Sequence, residues 1–362
     1  MGGAELFLLK LSTYLTQHNQ CHVIFLDPTG PLLDKYMASG CTIHGVAFSK
    51  NPSKALKAFW NLRRTIKAID PDIVHTWLFA SDLIGGLAAF TSRVPGIFWS
   101  IRQSNISFSQ NSIHTFLLSR TCIFFSRIVP NKIISCSVVA MEQHIKTLFY
   151  PRSKTITIPN GFDTDDLVYN DAERNQFRAE LECTANTKLV GIVGRFDVQK
   201  GFDNFLRIAS IMAAADKDLC FVLIGPGCTF ENSELTDLIA MNGITGLCRL
   251  LGRRSDIRRI LCGLDLLIIP SRGEAFPNIL GESMCIGTPV ISTNVGEMPI
   301  ILEGIQDCYP PGANEQMALA ALNILHLDEN SRQMLAERMR SRIMERYDSR
   351  KIMERFRQIY IL

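Results

Sequence analysis

The sequence predicts an α/β protein built from two doubly wound, Rossmann-like domains facing each other across a cleft. Three observations carry that expectation. The chain has 362 residues, beyond the size at which one hydrophobic core stops growing. Short apolar runs alternate with segments of helical period along its whole length, the pattern of parallel sheets covered by helices. The pattern also restarts after IPNGFDTDDLVYND at Ile158–Asp171, an abrupt switch from apolar to acidic turn residues that marks a boundary.

The elements follow in order. In the first half, strands are expected at His22–Leu26, Ile73–Thr76, Gly96–Ser100 and Lys132–Ser137, with amphipathic helices such as Ala4–Gln17 and Lys54–Ala68. In the second half, the strands are Lys188–Gly194, Leu219–Gly225, Arg249–Leu251, Leu266–Ser271 and Pro289–Thr293. Each run is followed by Gly, Pro, Ser or Asn, as where strands feed loops at the carboxyl edge of a sheet. The expected domains are residues 1–160, residues 161–345, and a C-terminal helix over residues 346–362. The opening Met1-Gly2-Gly3-Ala4-Glu5 is a glycine turn leading into a helix, with no strand ahead of it. The first strand of the N-terminal domain is therefore expected to be missing, through a late-assigned start or a fragmentary chain.

Composition narrows the class. With 47% hydrophobic and 20% charged residues, and no repeat or low-complexity tract, the chain reads as globular. No apolar stretch reaches the ~18 residues of a membrane span, and no secretory signal opens the chain, so a cytoplasmic protein is expected. The eleven cysteines lack the paired spacing of a zinc or redox site and read as reduced thiols; no metal is expected. Residues 1–160 hold 16 Lys and Arg against 7 Asp and Glu, and residues 161–362 hold 22 against 28. A basic first half suits an anionic surface such as acidic lipid headgroups or a lipid diphosphate. Nucleic acid would suit the same asymmetry, but no nucleic-acid partner is expected.

Two segments carry the chemistry. GIVGRFDVQKGF at Gly191–Phe202 ends a strand at Gly194, then delivers Arg195 and, five residues on, Lys200. Two cations on a glycine-flanked loop after a buried strand can clamp a diphosphate; a surface loop with ordinary solvated charges would read the same way. GEAFPNILGE at Gly273–Glu282 follows the strand LDLLIIPS. Pro277 and Asn278 suit the first turn of a helix whose exposed amides can seat phosphate. Glu274 lies before that helix and Glu282 within it, up to roughly 12 Å apart at helical rise. That is wider than the ~5–9.5 Å of a glycosidase pair, and suits two ends of one elongated ligand. Carboxylates favoured by the helix dipole would give the same pattern.

Together these segments resemble the retaining glycosyltransferases of family 4, which have the two-domain architecture called GT-B. The resemblance covers nearly the whole chain: GGAE at Gly2–Glu5, PDIVHTWL at Pro71–Leu78, IPNGFD at Ile158–Asp163, GRFDVQKGF at Gly194–Phe202, LIGPG at Leu223–Gly227, LLGRRSDI at Leu250–Ile257, GEAFPNILGE, and GTPVISTNVGE at Gly287–Glu297. It implies that Arg195 and Lys200 bind the donor diphosphate, that Glu274 contacts the transferred sugar and that Glu282 bonds the ribose. It further implies that His75 reaches the sugar from the opposite wall of the cleft, and that the amides around Phe276, Pro277, Asn278 and Ile279 meet phosphate and sugar. Gly194 would belong to the donor loop, Arg253 would line the base pocket, and Gly2 and Gly3 would form a turn near donor and acceptor. Ala275 departs from the more usual Gly. WSIRQSN at Trp99–Asn105 resembles members that build bacterial surface polysaccharides, which makes Arg102 and Asn105 acceptor-side candidates.

The resemblance therefore implies a retaining, metal-independent hexosyltransferase without a cofactor. It would use a nucleotide sugar and a glycan or lipid-linked saccharide acceptor, in cell-surface polysaccharide synthesis. The alternatives are a sugar-nucleotide epimerase of the same architecture and a non-catalytic nucleotide-sugar-binding subunit. Lys54–Ala68, with five cations beside Phe59 and Trp60, and His114–Val129, with Arg120 and Arg127 among aromatics, suit peripheral contact with an anionic membrane or a core-packed helix with solvated charges.

Overall fold

A computed structural model describes residues 3–27, 33–48, 52–102 and 113–361. The chain forms two compact units, Met1–Gly161 with Arg350–Leu362, and Phe162–Ser349. The sequence-based boundary at 160/161 thus falls at 161/162, and the segment grouped with the first unit starts at Arg350 rather than at 346.

The first unit runs α1 (Gly3–Leu15), β1 (His22–Phe25), α2 (Leu33–Met37), β2 (Thr42–Gly45), α3 (Pro52–Ile69), β3 (Ile73–Trp77), α4 (Phe79–Thr91), β4 (Gly96–Ile101), α5 (Ile113–Ser126), β5 (Lys132–Ser135), α6 (Val138–Leu148) and β6 (Thr155–Thr157). All its strand pairs are parallel. They form a two-stranded sheet, β1-β2, and a four-stranded sheet, β3-β4-β5-β6. All six residues of β4 are buried, as a strand covered on both faces requires. The Ser137 side chain caps α6 by accepting from the Ala140 amide at 3.0 Å, which satisfies one of the orphan donors of the helix start. The C-terminal helix, Ser349–Tyr360, buries Ile352, Met353 and Phe356 against Phe7, Leu11, Trp77 and Phe98.

The second unit runs α7 (Asp171–Glu180), β7 (Lys188–Val193), α8 (Phe202–Ala215), β8 (Leu219–Ile224), α9 (Ser233–Met241), β9 (Cys248–Gly252), α10 (Ile257–Gly263), β10 (Leu266–Ile269), α11 (Asn278–Ile286), β11 (Val290–Thr293), α12 (Met298–Leu302), β12 (Cys308–Tyr309), α13 (Asn314–Leu325) and α14 (Glu329–Arg346). One parallel sheet has the order β12-β11-β10-β7-β8-β9. Helix α8 shows why the sequence folds this way. Phe205, Leu206, Ile208, Ala209 and Met212 are fully buried beside Phe221 and Leu223 of β8, and each large side chain contributes about 1.5–3 kcal/mol. Asp265 ties the layers together, taking Arg174 at 2.6 Å, Arg178 at 2.9 Å and the Leu189 amide at 2.7 Å.

Three strands escaped the sequence reading: β2 (TIHG), β6 (TIT) and β12 (CY). Each is too short, or too interrupted by polar residues, to stand out as an apolar run. Gly3, expected in a turn, is the first residue of α1, because a glycine without a partnered amide is tolerated at a helix start.

Candidate active site

The strand order of the second unit fixes where ligand chemistry can sit. Its first strand, β7, lies between β8 and β10, so the chain winds one way from β7 and then the other. The loops leaving the carboxyl ends of β7 and β10 diverge at that switch point and open a crevice there. These are the two loops that carry the chemical residues: Gly194–Gly201 after β7 and Pro270–Pro277 after β10.

The β7 loop closes on a single turn of 3-10 helix, Val198–Lys200, capped by Asp197, whose carboxylate accepts from the Gln199 amide at 2.9 Å. Gly201 then takes a left-handed conformation, φ 68°, and a β-carbon there would lie 2.2 Å from the Pro270 carbonyl oxygen. Only glycine permits that approach, and it pins the two loops together. Arg272 adds to the pin, its amide donating to the Gln199 carbonyl at 2.7 Å and its guanidinium to Asp203 at 2.7 Å.

Lys200 and Glu274 meet as a result. The Lys200 ammonium donates to Glu274 Oε1, and Ser271 Oγ donates to the same oxygen at 3.2 Å. The Glu274 side chain is 12% exposed and that of Lys200 32%, so the pair is shielded more than a surface ion pair. Helix α11 begins immediately beyond. Its N-cap is Pro277, whose side chain makes no cap bond, as a ring without a polar atom dictates. Glu282 lies inside α11 and is half-buried, as are Asn278 and Ile279, while Phe276 and Pro277 are buried. Phe276 stacks on Phe162, centroids 6.0 Å apart, which holds the start of the helix. Arg195 is exposed at the mouth of the β7 loop, and Arg253 is exposed just after β9. Gly194 donates its amide to the Ile224 carbonyl at 2.8 Å.

The structure thus brings Lys200 and Glu274 into contact and sets Gly194, Arg195, Phe276 and Pro277 on the same two loops, with Asn278 and Ile279 opening α11. The sequence reading missed Ser271 and Gly296. Ser271 sits where LDLLIIPS ends, and a hydroxyl at the carboxyl end of a buried strand was the available signal. Gly296, φ 56°, lies against the Glu274 backbone, a contact no local pattern reveals.

The first unit holds the remaining candidates. His75, on β3, spans two hydroxyls: Nδ1 to Tyr360 Oη at 2.5 Å and Nε2 to Ser100 Oγ at 2.7 Å. Burial, followed by the nearby Arg102 charge, holds its imidazole well below the ordinary histidine range, so the ring is neutral. Arg102 is not a solvated loop residue. It stacks over Trp77 at 4.0 Å and donates to Asn160 at 2.7 Å, and burial lowers its pKa. Asp82 is 2% exposed and accepts from Thr76 Oγ1 at 2.6 Å; burial lifts its pKa to about 8. Gly2 and Asn105 lie outside the described residues.

On the surface of the first unit, Leu56 and Trp60 of α3 are 60% and 54% exposed, and Phe124 of α5 is 64% exposed. The α3 residues stand among Lys54, Lys57, Arg63 and Arg64. None of the eleven cysteines is in a disulfide. Among the described residues, no helix is long and apolar enough to cross a membrane, and no group of three His, Cys, Asp or Glu is placed to hold a metal.

Helix-covered parallel sheets in both units, with a cation–carboxylate pair at the switch point of the second, define a nucleotide-fold transferase of the GT-B class. Residues 1–166 match the model described as Glycosyltransferase Family 4, and residues 187–327 match that described as Glycosyl transferases group 1. The two matches span most of the chain, and it belongs to this family of glycosyltransferases. Its relatives include the UDP-Gal:alpha-D-GlcNAc-diphosphoundecaprenol alpha-1,3-galactosyltransferase of Escherichia coli, 23% identical over 92% of this chain and 87% of that protein. Another is the N,N'-diacetylbacillosaminyl-diphospho-undecaprenol alpha-1,3-N-acetylgalactosaminyltransferase of Campylobacter jejuni, 24% identical over 86% of this chain and 82% of that protein. Among solved structures, Anabaena HepE in complex with UDP and glucose has the same fold. It covers 99% of this chain and 95% of its own, at a TM-score of 0.85 and 19% identity.

Proposed function

We propose that the chain transfers a hexose-type sugar from a nucleotide-diphosphate sugar to a lipid-linked saccharide, with retention at the anomeric carbon, in the synthesis of a cell-surface polysaccharide. The observation that carries this reading is the Lys200–Glu274 pair beside the start of α11, which has no side-chain cap. In this reading the Lys200 ammonium, the Arg195 guanidinium on the same loop and the first-turn amides of α11 serve one diphosphate as sources of positive potential. That array fits a diphosphate. Glu274 holds the ammonium in place and offers its remaining lone pairs to sugar hydroxyls, and Glu282 lies eight positions on to take the ribose.

In the proposed step the anomeric C–O bond breaks and its electron pair goes to the leaving β-phosphate oxygen. The acceptor hydroxyl oxygen bonds to the same face of the anomeric carbon, and its proton passes to a departing phosphate oxygen. Charge grows on phosphate as the bond breaks, so groups fixed before the reaction lower the barrier most. Lys200, Arg195 and the helix amides meet that charge without a metal ion or a cofactor in this reading. The acceptor class rests on the names of the two bacterial relatives, which act on saccharides linked to diphosphoundecaprenol. A UDP donor is favoured because HepE is solved with UDP.

We place the protein at the cytoplasmic face of the membrane, in peripheral contact through Trp60, Leu56 and the surrounding lysines and arginines of α3. Flotation with anionic vesicles at low salt tests that contact, which is withdrawn if the protein stays with the soluble fraction.

The deciding experiment incubates the protein with UDP-hexoses and a polyprenyl-diphosphate N-acetylhexosamine, with and without EDTA. The expected product is heavier by one sugar, carries an α linkage by NMR and forms at the same rate in EDTA. Conversion of the nucleotide sugar alone to an epimer would replace the transferase reading with an epimerase. Binding of nucleotide without any product would indicate a binding subunit.

A further inference from the structure

Strands β1 and β2 of the first unit pair in parallel, with His22 opposite Thr42 and Ile24 opposite His44. Side chains alternate between faces along a strand, so His22 and His44 stand on one face, offset by two residues. His22 is exposed and His44 half-buried.

Their rings meet nitrogen to nitrogen. His22 Nδ1 and His44 Nε2 are 3.0 Å apart, the ring planes lie within 17° of parallel, and the centroids are 5.3 Å apart. That separation is little more than the nitrogen contact plus the two ring radii, so the rings lie edge to edge rather than face over face. One nitrogen donates to the other, and the tautomer decides which. Among the described residues neither ring makes another hydrogen bond. Nothing else therefore fixes the tautomers or holds the rings against a small turn.

A divalent transition ion fits the same spacing. Imidazole nitrogens bind zinc at about 2.0–2.1 Å, so two of them on one ion lie about 2.9 Å apart at a right angle and about 3.3 Å apart at the tetrahedral angle. The observed 3.0 Å falls inside that range, with the ion placed beside the line that joins the nitrogens. To aim both lone pairs there, each ring turns by roughly 40°, and the terminal torsion of histidine is broad. The proton between the rings moves to the outer nitrogen of its own ring. Both contacting nitrogens then offer lone pairs, with no change in the number of protons bound.

We propose that His22 and His44 form a two-imidazole site for a divalent transition ion of the zinc, nickel and copper type, with water completing the coordination. Imidazole suits these ions, whereas magnesium and calcium take oxygen ligands. The ion bridges β1 and β2, which pair over four residues each. So short a two-stranded pairing is marginal by itself, and the ion acts as a clip on it. The site belongs to the first unit and takes no part in the transfer proposed above, whose groups Lys200 and Glu274 belong to the second.

The test titrates the 362-residue protein, freed of metal with EDTA and exchanged into buffer, with zinc chloride, and with magnesium chloride as the control. Calorimetry is expected to show one zinc ion per chain, saturating well below millimolar zinc. Saturating zinc should slow hydrogen exchange over His22–Phe25 and Thr42–Gly45 by about tenfold and raise the thermal midpoint by a few degrees, roughly as mass action requires. Magnesium should do neither. His22→Gln and His44→Gln each remove one nitrogen ligand and should weaken zinc binding by about tenfold or more. Their midpoints in EDTA should stay near the parent's, as for other substitutions near a surface. Zinc binding that persists in the double variant places the ion elsewhere and overturns the proposal, and so does saturation only in the millimolar range. Copper(II) on the parent protein should show electron-spin couplings to two imidazoles; coupling to a single imidazole overturns the chelate without recourse to any variant.

Discussion

Gly296 lies so close to Glu274 that a β-carbon at position 296 would sit 2.2 Å from the Glu274 carbonyl oxygen. The loop after β11 thereby sets the height of the loop that carries the acid. Gly296→Ala must move one of them, and its φ of 56° is itself unfavourable for alanine. The expected result is a loss of stability of about 1–3 kcal/mol with a fall in transfer rate of about tenfold or more, since small misplacements of positioning groups are costly. Thermal melts and steady-state kinetics on the single variant check this. An unchanged kcat would show that Glu274 does not depend on this contact.

Lys200 and Glu274 should act as a unit. Lys200→Ala removes the ammonium and leaves Glu274 with Ser271 alone; Glu274→Gln keeps the shape and removes the charge that holds Lys200. Each is expected to lower transfer by ~10²–10³, the usual loss when one preorganised group facing developing charge is removed. The double variant should lose little more than the worse single one, because groups that work together are not additive. Single variants within two-fold of the parent would remove both residues from the site.

Much of this site was legible because of how buried parallel strands are written. GIVG and LLIIPS are continuous apolar runs, so the loops that follow them, and the cations and acids on those loops, stood out. Their contact was not legible, since it depends on β7 and β10 being neighbours, a property of strand order and not of either segment. The same limit hid the surroundings of His75. Its partners Ser100 and Tyr360 stand 25 and 285 residues away. The short strands β2, β6 and β12 escaped because they carry too few apolar residues to show a period.

The C-terminal helix is expected to be essential to the first unit. Ile352, Met353 and Phe356 are at most 4% exposed, and burial of each contributes about 1.5–3 kcal/mol. Deletion of residues 350–362 therefore removes roughly 4–9 kcal/mol as an upper estimate, comparable with the whole stability of a domain. Tyr360→Phe is the milder variant; it deprives His75 Nδ1 of its partner and should cost about 1–3 kcal/mol. Urea unfolding of both proteins checks the ranking. A truncated chain with an unchanged midpoint would mean that this packing contributes nothing.

Asp82 gives the first unit a pH dependence of unusual sign. Burial lifts its pKa to about 8, against hydrogen bonds from Thr76 and the Ser100 backbone and the attraction of Arg102, which lower it. In the unfolded chain the same carboxyl titrates near 3.8. Between those values the folded state keeps a proton that the unfolded state has released, so stability falls as pH rises and levels off above about 8. The slope approaches ~1.4 kcal/mol per pH unit within that window. His75 acts in the opposite direction at lower pH: its ring is held neutral, so stability is lost as pH drops below the ordinary histidine value of about 6.5. The Cys122 thiol and the Tyr150 hydroxyl near Asp82 are both pushed upward by burial and stay neutral across the range. The other buried thiols, Cys228 and Cys248 among them, are raised as well and add a slope of the same sign only as pH approaches the ordinary thiol range, so the interval from about pH 6.5 to 7.5 is the one that Asp82 dominates. Asp82→Asn keeps an acceptor for Thr76 and carries no charge, so its melting temperature should be flat across that interval and higher than the parent's at its upper end. If the variant instead follows the parent's slope, the titrating group is not Asp82.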